Sequence, residues 1–439
     1  MAMHTILLST LLAFHGGAPP QIAETAIVGA RLEIGDGRVL ENGTLAMRGD
    51  KIVLLGEGLP APSGSTVIDG KGLTVYPGFF DCYSTTGVKQ GETVANVGAS
   101  PDTTNTAPAT MWHGNRKNLH ADVKAATALD PKTSFSDRIA QGITTVLFTG
   151  GSGTIAGTAA LVDLSATPTV LVPEAAEEFI FRSAGRFGGG EDMAGAQGRR
   201  PQQDDGPPVY AYPGTLFGIT ALTRQTLWDA KAYAAEDKPK TDATYEGLRP
   251  LVTGRMPAMF TLTNAREIAR AGHLADEFGF QMIVNGVPDA YREADALKAH
   301  AAPVIVSLEV PDAPSQTSTS VPKRVLEDRL AQYKERMTNA RQLDAAGVTI
   351  AFRKGSGDYL EGVRKLVTAS GLPRASALRA MTSSPATIFG VADRTGTLQV
   401  GKTANLVLMT GDFLDPKSTV KTTIVQGVAT DAKKKETAK

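Results

Sequence analysis

Apolar and polar positions follow two rhythms along the chain. Between residues 24 and 75, short apolar runs (Ala26-Ile27-Val28, Ala30-Arg31-Leu32, Thr44-Leu45-Ala46-Met47, Lys51-Ile52-Val53-Leu54-Leu55) are cut by Gly35-Asp36-Gly37 and Gly49-Asp50. This is the rhythm of short strands and tight turns. It returns near the end of the chain in Leu406-Val407-Leu408-Met409 and Thr422-Thr423-Ile424-Val425. In between, strand-like runs at 144–148, 258–263, 280–284, 304–308 and 348–352 take turns with helical patterns at 218–235, 265–278, 288–300, 323–346 and 358–370. A parallel sheet with crossover helices has this βα alternation, and its length suits a TIM-type (β/α)8 barrel better than an open sheet.

Two stretches break the pattern. Residues 186–208 (RFGGGEDMAGAQGRRPQQDDGPP) are rich in glycine, glutamine, proline and charge, which predicts a mobile loop and, as a functional alternative, a lid over a barrel mouth. Residues 1–20 have a short apolar core followed by Gly16-Gly17-Ala18, as in a secretory signal peptide, although no Lys or Arg precedes the core. The expectation is an exported protein, periplasmic or extracellular. No later run is long and apolar enough for a membrane span.

The 439 residues can bury one barrel and a small companion domain. Lys plus Arg (45) balance Asp plus Glu (45), so nothing recommends nucleic acid or an anionic membrane as a partner. Cys82 is the single cysteine, which excludes an intrachain disulfide. Gly150-Gly151-Ser152-Gly153-Thr154-Ile155-Ala156-Gly157 has the glycines of a phosphate loop without the Gly-Lys-Ser/Thr such a loop needs.

Three sets of motifs carry a family resemblance. The run Pro77-Gly78-Phe79-Phe80-Asp81-Cys82-Tyr83-Ser84-Thr85 resembles the first barrel strand of the amidohydrolase superfamily, commonly Pro-Gly-Phe-Ile-Asp-x-His-x-His. Residues 134–157 (SFSDRIAQGITTVLFTGGSGTIAG) are similar to the helix, second strand and glycine turn of its imidazolonepropionase-like branch. Met381-Thr382-Ser383-Ser384-Pro385-Ala386, Asp393-Arg394-Thr395-Gly396-Thr397-Leu398 and Gly401-Lys402-Thr403-Ala404-Asn405-Leu406-Val407 resemble the family's closing motifs. The resemblance implies an α/β fold, a (β/α)8 TIM-type barrel over 78–394 with a small β-sandwich built from both chain ends (21–77 plus 395–430), ahead of a solvated tail at 431–439. It also implies metal-dependent hydrolysis of C–N bonds other than peptide bonds.

The same resemblance shows what is replaced. Tyr83 and Thr85 stand where the paired histidines of strand one would bind a divalent metal; side chains two apart on a strand share a face, so both should enter the barrel and Cys82 should point away. Thr261 and Thr263 replace a Phe-His-x-His of the fifth strand, Asn285 a histidine of the sixth, and Gly355 the late aspartate of the eighth. Asp81 is retained, in the family a strand-entry residue and not a usual ligand. Hydroxyls and an amide are neutral at pH 7, whereas zinc sites use imidazole, thiolate and carboxylate. The expectation is a barrel without catalytic residues, without a metal and without another cofactor. It would hold a small polar ligand among Tyr83, Thr85, Thr261, Thr263, Asn285 and Gly355, or would pair as a homo-oligomer or with an active relative. Arg353 and Lys354 are in sequence range of the mouth.

The alternative is an active enzyme on cyclic amide, imide or dipeptide-like C–N bonds, with zinc or another divalent metal held by a rewired set such as His113, His120 and loop carboxylates. A third reading, metal-free chemistry with Tyr83 as acid or base, lacks a visible partner group. Of the other histidines, His4 and His15 fall in the N-terminal segment, His273 in a helical pattern and His300 at a helix end.

Overall fold

The structure, a computed structural model, describes residues 24–89, 119–165, 167–181, 215–315 and 321–431. The expected signal segment, the 186–208 loop, the charged tail and His113 lie outside these.

Two eight-stranded sheets organise the chain. The first joins β1 (Glu24–Glu33), β2 (Val39–Arg48), β3 (Lys51–Glu57), β4 (Thr66–Asp69) and β5 (Thr74–Pro77) to β14 (Leu406–Met409), β15 (Val420–Val425) and β16 (Val428–Asp431). β5 is the link, pairing with β1 on one side and antiparallel with β14 on the other. The sheet has its own core around Ile27, Leu32, Leu45, Val75, Leu406 and Ile424.

The second sheet is the barrel: β6 (Phe79–Ser84), β7 (Ile143–Phe148), β8 (Ile155–Asp163), β9 (Thr169–Ile180), β10 (Ala258–Thr261), β11 (Met282–Asn285), β12 (Val304–Ser307) and β13 (Ile350–Arg353), hydrogen-bonded in that order. Its helices are α1 (Ala125–Ala128), α2 (Ser136–Ile139), α3 (Leu216–Ala235), α4 (Ala243–Val252), α5 (Arg266–Phe278), α6 (Ala294–Ala299), α7 (Lys323–Met337), α8 (Asn339–Ala345), α9 (Tyr359–Ser370), α10 (Arg374–Met381) and α11 (Ser383–Ile388). The ends β13 and β6 meet where the Lys354 N–H donates to Asp81 Oδ1 at 2.9 Å and the Tyr359 hydroxyl donates to the Phe80 carbonyl at 2.7 Å. The expected TIM-type barrel is thus present, nearly closed, beside a separate β-sheet domain.

One strand departs from the all-parallel scheme. β8 runs antiparallel to both neighbours. The links 149–154 and 164–168 are too short for the crossover that a parallel neighbour requires, so β7, β8 and β9 form a meander inside the barrel. Glycines permit the first turn: Gly151 and Gly153 have φ of 64° and 87°.

The two sheets are joined by short contacts. Gly78, between β5 and β6, crosses so close to Thr144 that a Cβ there would sit 2.1 Å from its hydroxyl, and its N–H donates to the Asn405 carbonyl at 2.8 Å. Below it the buried Asp163 of β8 accepts from Thr145 at 2.7 Å and from the Asn405 amide at 3.0 Å. Burial pushes the Asp163 carboxyl up, against the Thr145, Asn405 and Gln426 donors that hold it down. Asn405 is therefore a coupling between the sheets: its amide oxygen also accepts the Gln426 N–H at 2.8 Å.

On the outer face of β9, Glu177 is fully buried, accepts from Thr158 at 2.9 Å, and leaves its other oxygen without a partner. Burial pushes its carboxyl well above the ordinary value.

Two predictions follow from these carboxylates. Asn405→Ala removes one donor from Asp163 and one acceptor from Gln426, and should lower stability to urea by roughly 2–3 kcal/mol, since each buried polar group left unmet costs about 1–3 kcal/mol. An unchanged midpoint would show that the sheets are not coupled there. For Glu177 the folded carboxyl binds its proton more tightly than the unfolded one, so the folded state binds more protons. Stability must then fall as pH rises from the ordinary carboxylate value of 4.5 through the raised one. Glu177→Gln should flatten that slope and add on the order of 1 kcal/mol above neutrality; urea titrations of both proteins from pH 5 to pH 8 with parallel slopes would overturn this.

Candidate functional site

The lumen is filled by a layer to which each strand contributes: Phe80 and Cys82 from β6, Leu147 from β7, Ala159 and Leu161 from β8, Ala176 from β9, Met259 from β10, Ile283 from β11, Ile305 from β12 and Ala351 from β13. Strand side chains repeat every two residues. The next inward layer toward the strand ends is therefore Thr149, Glu178, Thr261, Asn285, Ser307 and Arg353. The layer changes from wholly apolar to wholly polar in a single step. In a barrel of this kind the mouth at the C-terminal strand ends is where ligand chemistry is placed.

Tyr83 joins that layer by a local irregularity. Register along β6–β7 slips between Asp81 and Ser84, so Cys82 and Tyr83 both border the lumen cluster. The expectation that Cys82 points away is overturned by this bulge, because an extra residue breaks the two-residue alternation. Burial in apolar surroundings pushes the Cys82 thiol well up.

The centre of the mouth is Glu178, a residue that the sequence reading passed over. It is 0% exposed. The Thr149 hydroxyl donates to one carboxylate oxygen and the Thr261 hydroxyl donates to the other at 2.7 Å. The Tyr83 hydroxyl and the Gly151 N–H complete the set. Burial pushes the Glu178 carboxyl up, and the Thr149, Thr261, Tyr83 and Gly151 donors oppose that shift. Asn285, also 0% exposed, donates its amide to Thr261 at 2.9 Å, while its Oδ1 has no partner.

Arg353 crosses the mouth from the opposite side. Its guanidinium lies over the Tyr83 ring at 5.4 Å from the centroid. It also packs against Gly286, where a Cβ would lie 3.3 Å from a terminal nitrogen and where φ is +86°. Its Nε is buried and without a hydrogen-bond partner. Asn285 followed by Gly286 thus combines the amide of the network with the one residue type that leaves space for Arg353.

Of the residues nominated from sequence, Tyr83, Thr261 and Asn285 come together. Thr85, Thr263 and Gly355 do not. The Thr85 methyl abuts Gly151, where a Cβ would meet it at 2.2 Å, and so packs the glycine turn. Thr263 donates through its N–H and its hydroxyl to Glu267, at 2.7 and 3.0 Å, in the first turn of α5. Gly355 is exposed beyond the end of β13, with φ of +70° and Glu309 against it. Asp81 sits at the seam: besides Lys354 it accepts from the Arg138 guanidinium at 3.3 Å, and burial pushes its carboxyl up against those two donors.

His120 lies outside the mouth. Its backbone N–H donates to Ile155, and its ring is buried with Nε2 unpartnered. Burial pulls its pKa down, against the nearby Asp122. Among the described residues no three His, Cys, Asp or Glu side chains are grouped as a metal site would need, and the donors at the mouth are one saturated carboxylate, hydroxyls, an amide and a guanidinium. This set fits a divalent metal poorly. Among the described residues no helix is long and apolar enough to cross a membrane.

Comparisons with known proteins place this geometry. The family model described as "Amidohydrolase family" matches residues 259–430. An amidohydrolase from Thermotoga maritima MSB8 superposes with a TM-score of 0.68 at 19% identity, over 92% of this chain and 99% of that one. A prolidase solved with N-methylphosphonate-L-proline gives 0.53 at 17% identity, over 93% and 100%. At these identities the likeness is one of fold. Two curated relatives match over short segments. The N-acetylglucosamine-6-phosphate deacetylase of Caenorhabditis elegans is 43% identical over 65 residues, 15% of this chain and 14% of its own. The N-acyl-D-aspartate deacylase of Alcaligenes xylosoxydans xylosoxydans is 46% identical over 67 residues, 15% and 13%. The match thus spans about a seventh of each relative's length. Residues 259–430 thus match the amidohydrolase family model, and the barrel around them has the fold of the solved amidohydrolase and prolidase.

Proposed function

We propose that this chain is a non-catalytic member of its superfamily, a barrel that binds a small molecule and does not hydrolyse it. The observation that carries the reading is the state of Glu178. A carboxylate whose two oxygens already accept from four donors, Thr149, Thr261, Tyr83 and the Gly151 N–H, has no free lone-pair direction toward a substrate or an ion without breaking those bonds. A general base must reach the proton it removes, and this one is fully enclosed. The only other charged group of the layer is the Arg353 guanidinium, which cannot accept a proton at working pH and repels a second cation. Homo-oligomers, or pairing with an active relative, remain part of the proposal on family habit alone.

A second reading has one observation in its favour. The Tyr83 hydroxyl, which lacked a partner in the sequence, bonds Glu178, giving a phenol and a carboxylate that could pass a proton without a metal. It predicts turnover of an amide or imide that Tyr83→Phe abolishes while the unfolding temperature holds. The metal-dependent alternative with His113 and His120 would require His120 to leave its buried place.

The test is metal content together with a Glu178 variant. After exposure to zinc, manganese and iron, the full chain should retain less than about a tenth of an ion, and its unfolding temperature should not rise with added metal, as it would if the folded state bound one. Glu178→Ala should lower stability on the order of 3 kcal/mol, because it strands several buried donors at once. A stoichiometric ion, or hydrolysis of C–N substrates that disappears in Glu178→Gln, would falsify the non-catalytic reading. Gly286→Ala should cost about 1–2 kcal/mol through the strained φ and displacement of Arg353, which urea unfolding would register.

A further inference from the structure

Of two described cavities large enough for an organic ligand, one lies beside the mouth and not in it. It has a volume of about 660 Å³, between the C-terminal ends of β11 and β12 and the helix α7. Pockets of roughly 300–1,000 Å³ are the size that holds small molecules. It adjoins the mouth through Gly286 and Ser307, and its apolar wall is Val287, Val306, Val310 and Leu366.

The unusual part is α7 itself. A helix laid against a barrel ordinarily turns an apolar stripe inward. On α7, Arg329, Gln332, Tyr333 and Arg336, spaced as i, i+3, i+4 and i+7 on one face, all line the cavity, and Leu326 is the helix's one buried residue. A polar stripe facing a void gives little packing energy, so packing does not account for it. Arg329 makes no hydrogen bond or ion pair with the described residues, while Tyr333 ties the overlying loop through a 3.1 Å bond to the Pro311 carbonyl. Two acidic residues also line the cavity: Glu309 accepts from the Ser356 N–H and hydroxyl at 2.8 and 2.7 Å, and Asp312 makes no hydrogen bond or ion pair with the described residues.

We propose that this cavity is the small-molecule site of the protein and that it takes a small organic anion, a carboxylate or phosphate carried on an apolar body. The anionic group would meet Arg329 and Arg336, with Gln332 beside them, and the apolar body would lie on the valine and leucine wall. Guanidinium forks suit both anions. The proposal rests on the reading of this barrel as a binding protein.

The full chain should be titrated calorimetrically with hexanoate and phenyl phosphate, with hexanol and hexylammonium as controls. The anions should bind and the controls should not. Arg329→Ala should weaken anion binding roughly tenfold or more, the loss of one charge-assisted pair, and Gln332→Trp should abolish it by filling the void. Both side chains are exposed, so the unfolding temperature should stay put. Binding of neither anion, equal binding of all four probes, or anion binding indifferent to both substitutions would overturn the proposal. If a C–N substrate is turned over while hexanoate still binds and still needs Arg329, the non-catalytic reading fails and the cavity stands.

Discussion

A carboxylate sealed inside a barrel must be met by donors or carry a proton, and the mouth of this barrel is arranged around that requirement at Glu178. Transfer of an unpaired charge into a protein interior costs several kcal/mol, far more than one hydroxyl returns. The protein supplies donors from several strands: Thr149 after β7, Tyr83 from β6, Thr261 from β10, and the Gly151 amide from the glycine turn. Asn285 is drawn in one bond further out, through Thr261. The partners come from β6, from β10 and from the turn after β7, so the network holds the strand ends in register as well as satisfying the charge. It is an arrangement for rigidity at a place where the fold usually keeps groups poised to react.

The irregular features of the barrel serve the same network. The short links around β8 force it antiparallel, and the turn this creates brings Thr149 and Gly151 to Glu178 from above. The slip in β6 turns Tyr83 inward beside Cys82. A regular parallel β8 with a crossover helix would have carried the 149–154 segment away from the lumen. Asp81 at the seam and Asp163 at the junction with the second sheet repeat the pattern at smaller scale, each a buried carboxylate held by donors from two separate parts of the chain.

Much of this was legible in the sequence, and the failures have identifiable causes. The 3.6-residue patterns at 265–278 and 358–370 became α5 and α9, and the apolar runs at 144–148 and 304–308 became β7 and β12, because long periodic segments declare themselves. β8 and β9 did not: 155–180 mixes alanine, threonine and glutamate with two prolines, so neither period dominates. Glu178 was hidden with them. The signal available was Ala176-Glu177-Glu178-Phe179, two carboxylates inside an apolar strand, one of which must face the lumen whichever register is chosen. Tyr83, Thr261 and Asn285 were found because family motifs fix strand ends; Thr263 and Gly355 missed because both strands stop two residues sooner, leaving those positions to a helix turn and a loop. Cys82 missed because a bulge cannot be seen in an alternation count.

With the mouth knitted shut, the position of open space becomes informative. The strand ends of β11 and β12 have two faces: inward they give Asn285 and Ser307 to the polar layer, and outward they give Val284 and Val306 to the core under the helices. Over most of the barrel that outer face is covered by helices with apolar stripes such as Ile268, Ala271, Leu274 and Ala275 on α5. Over β12 the covering helix offers arginine, glutamine and tyrosine, and the space between is not filled. An unfilled space under a helix forgoes dispersion contacts and hydrophobic burial alike, a cost that close-packed interiors avoid. On the proposed reading, a barrel that spends donors to close its lumen yet leaves this gap open offers a ligand its space in the helix layer rather than on the axis.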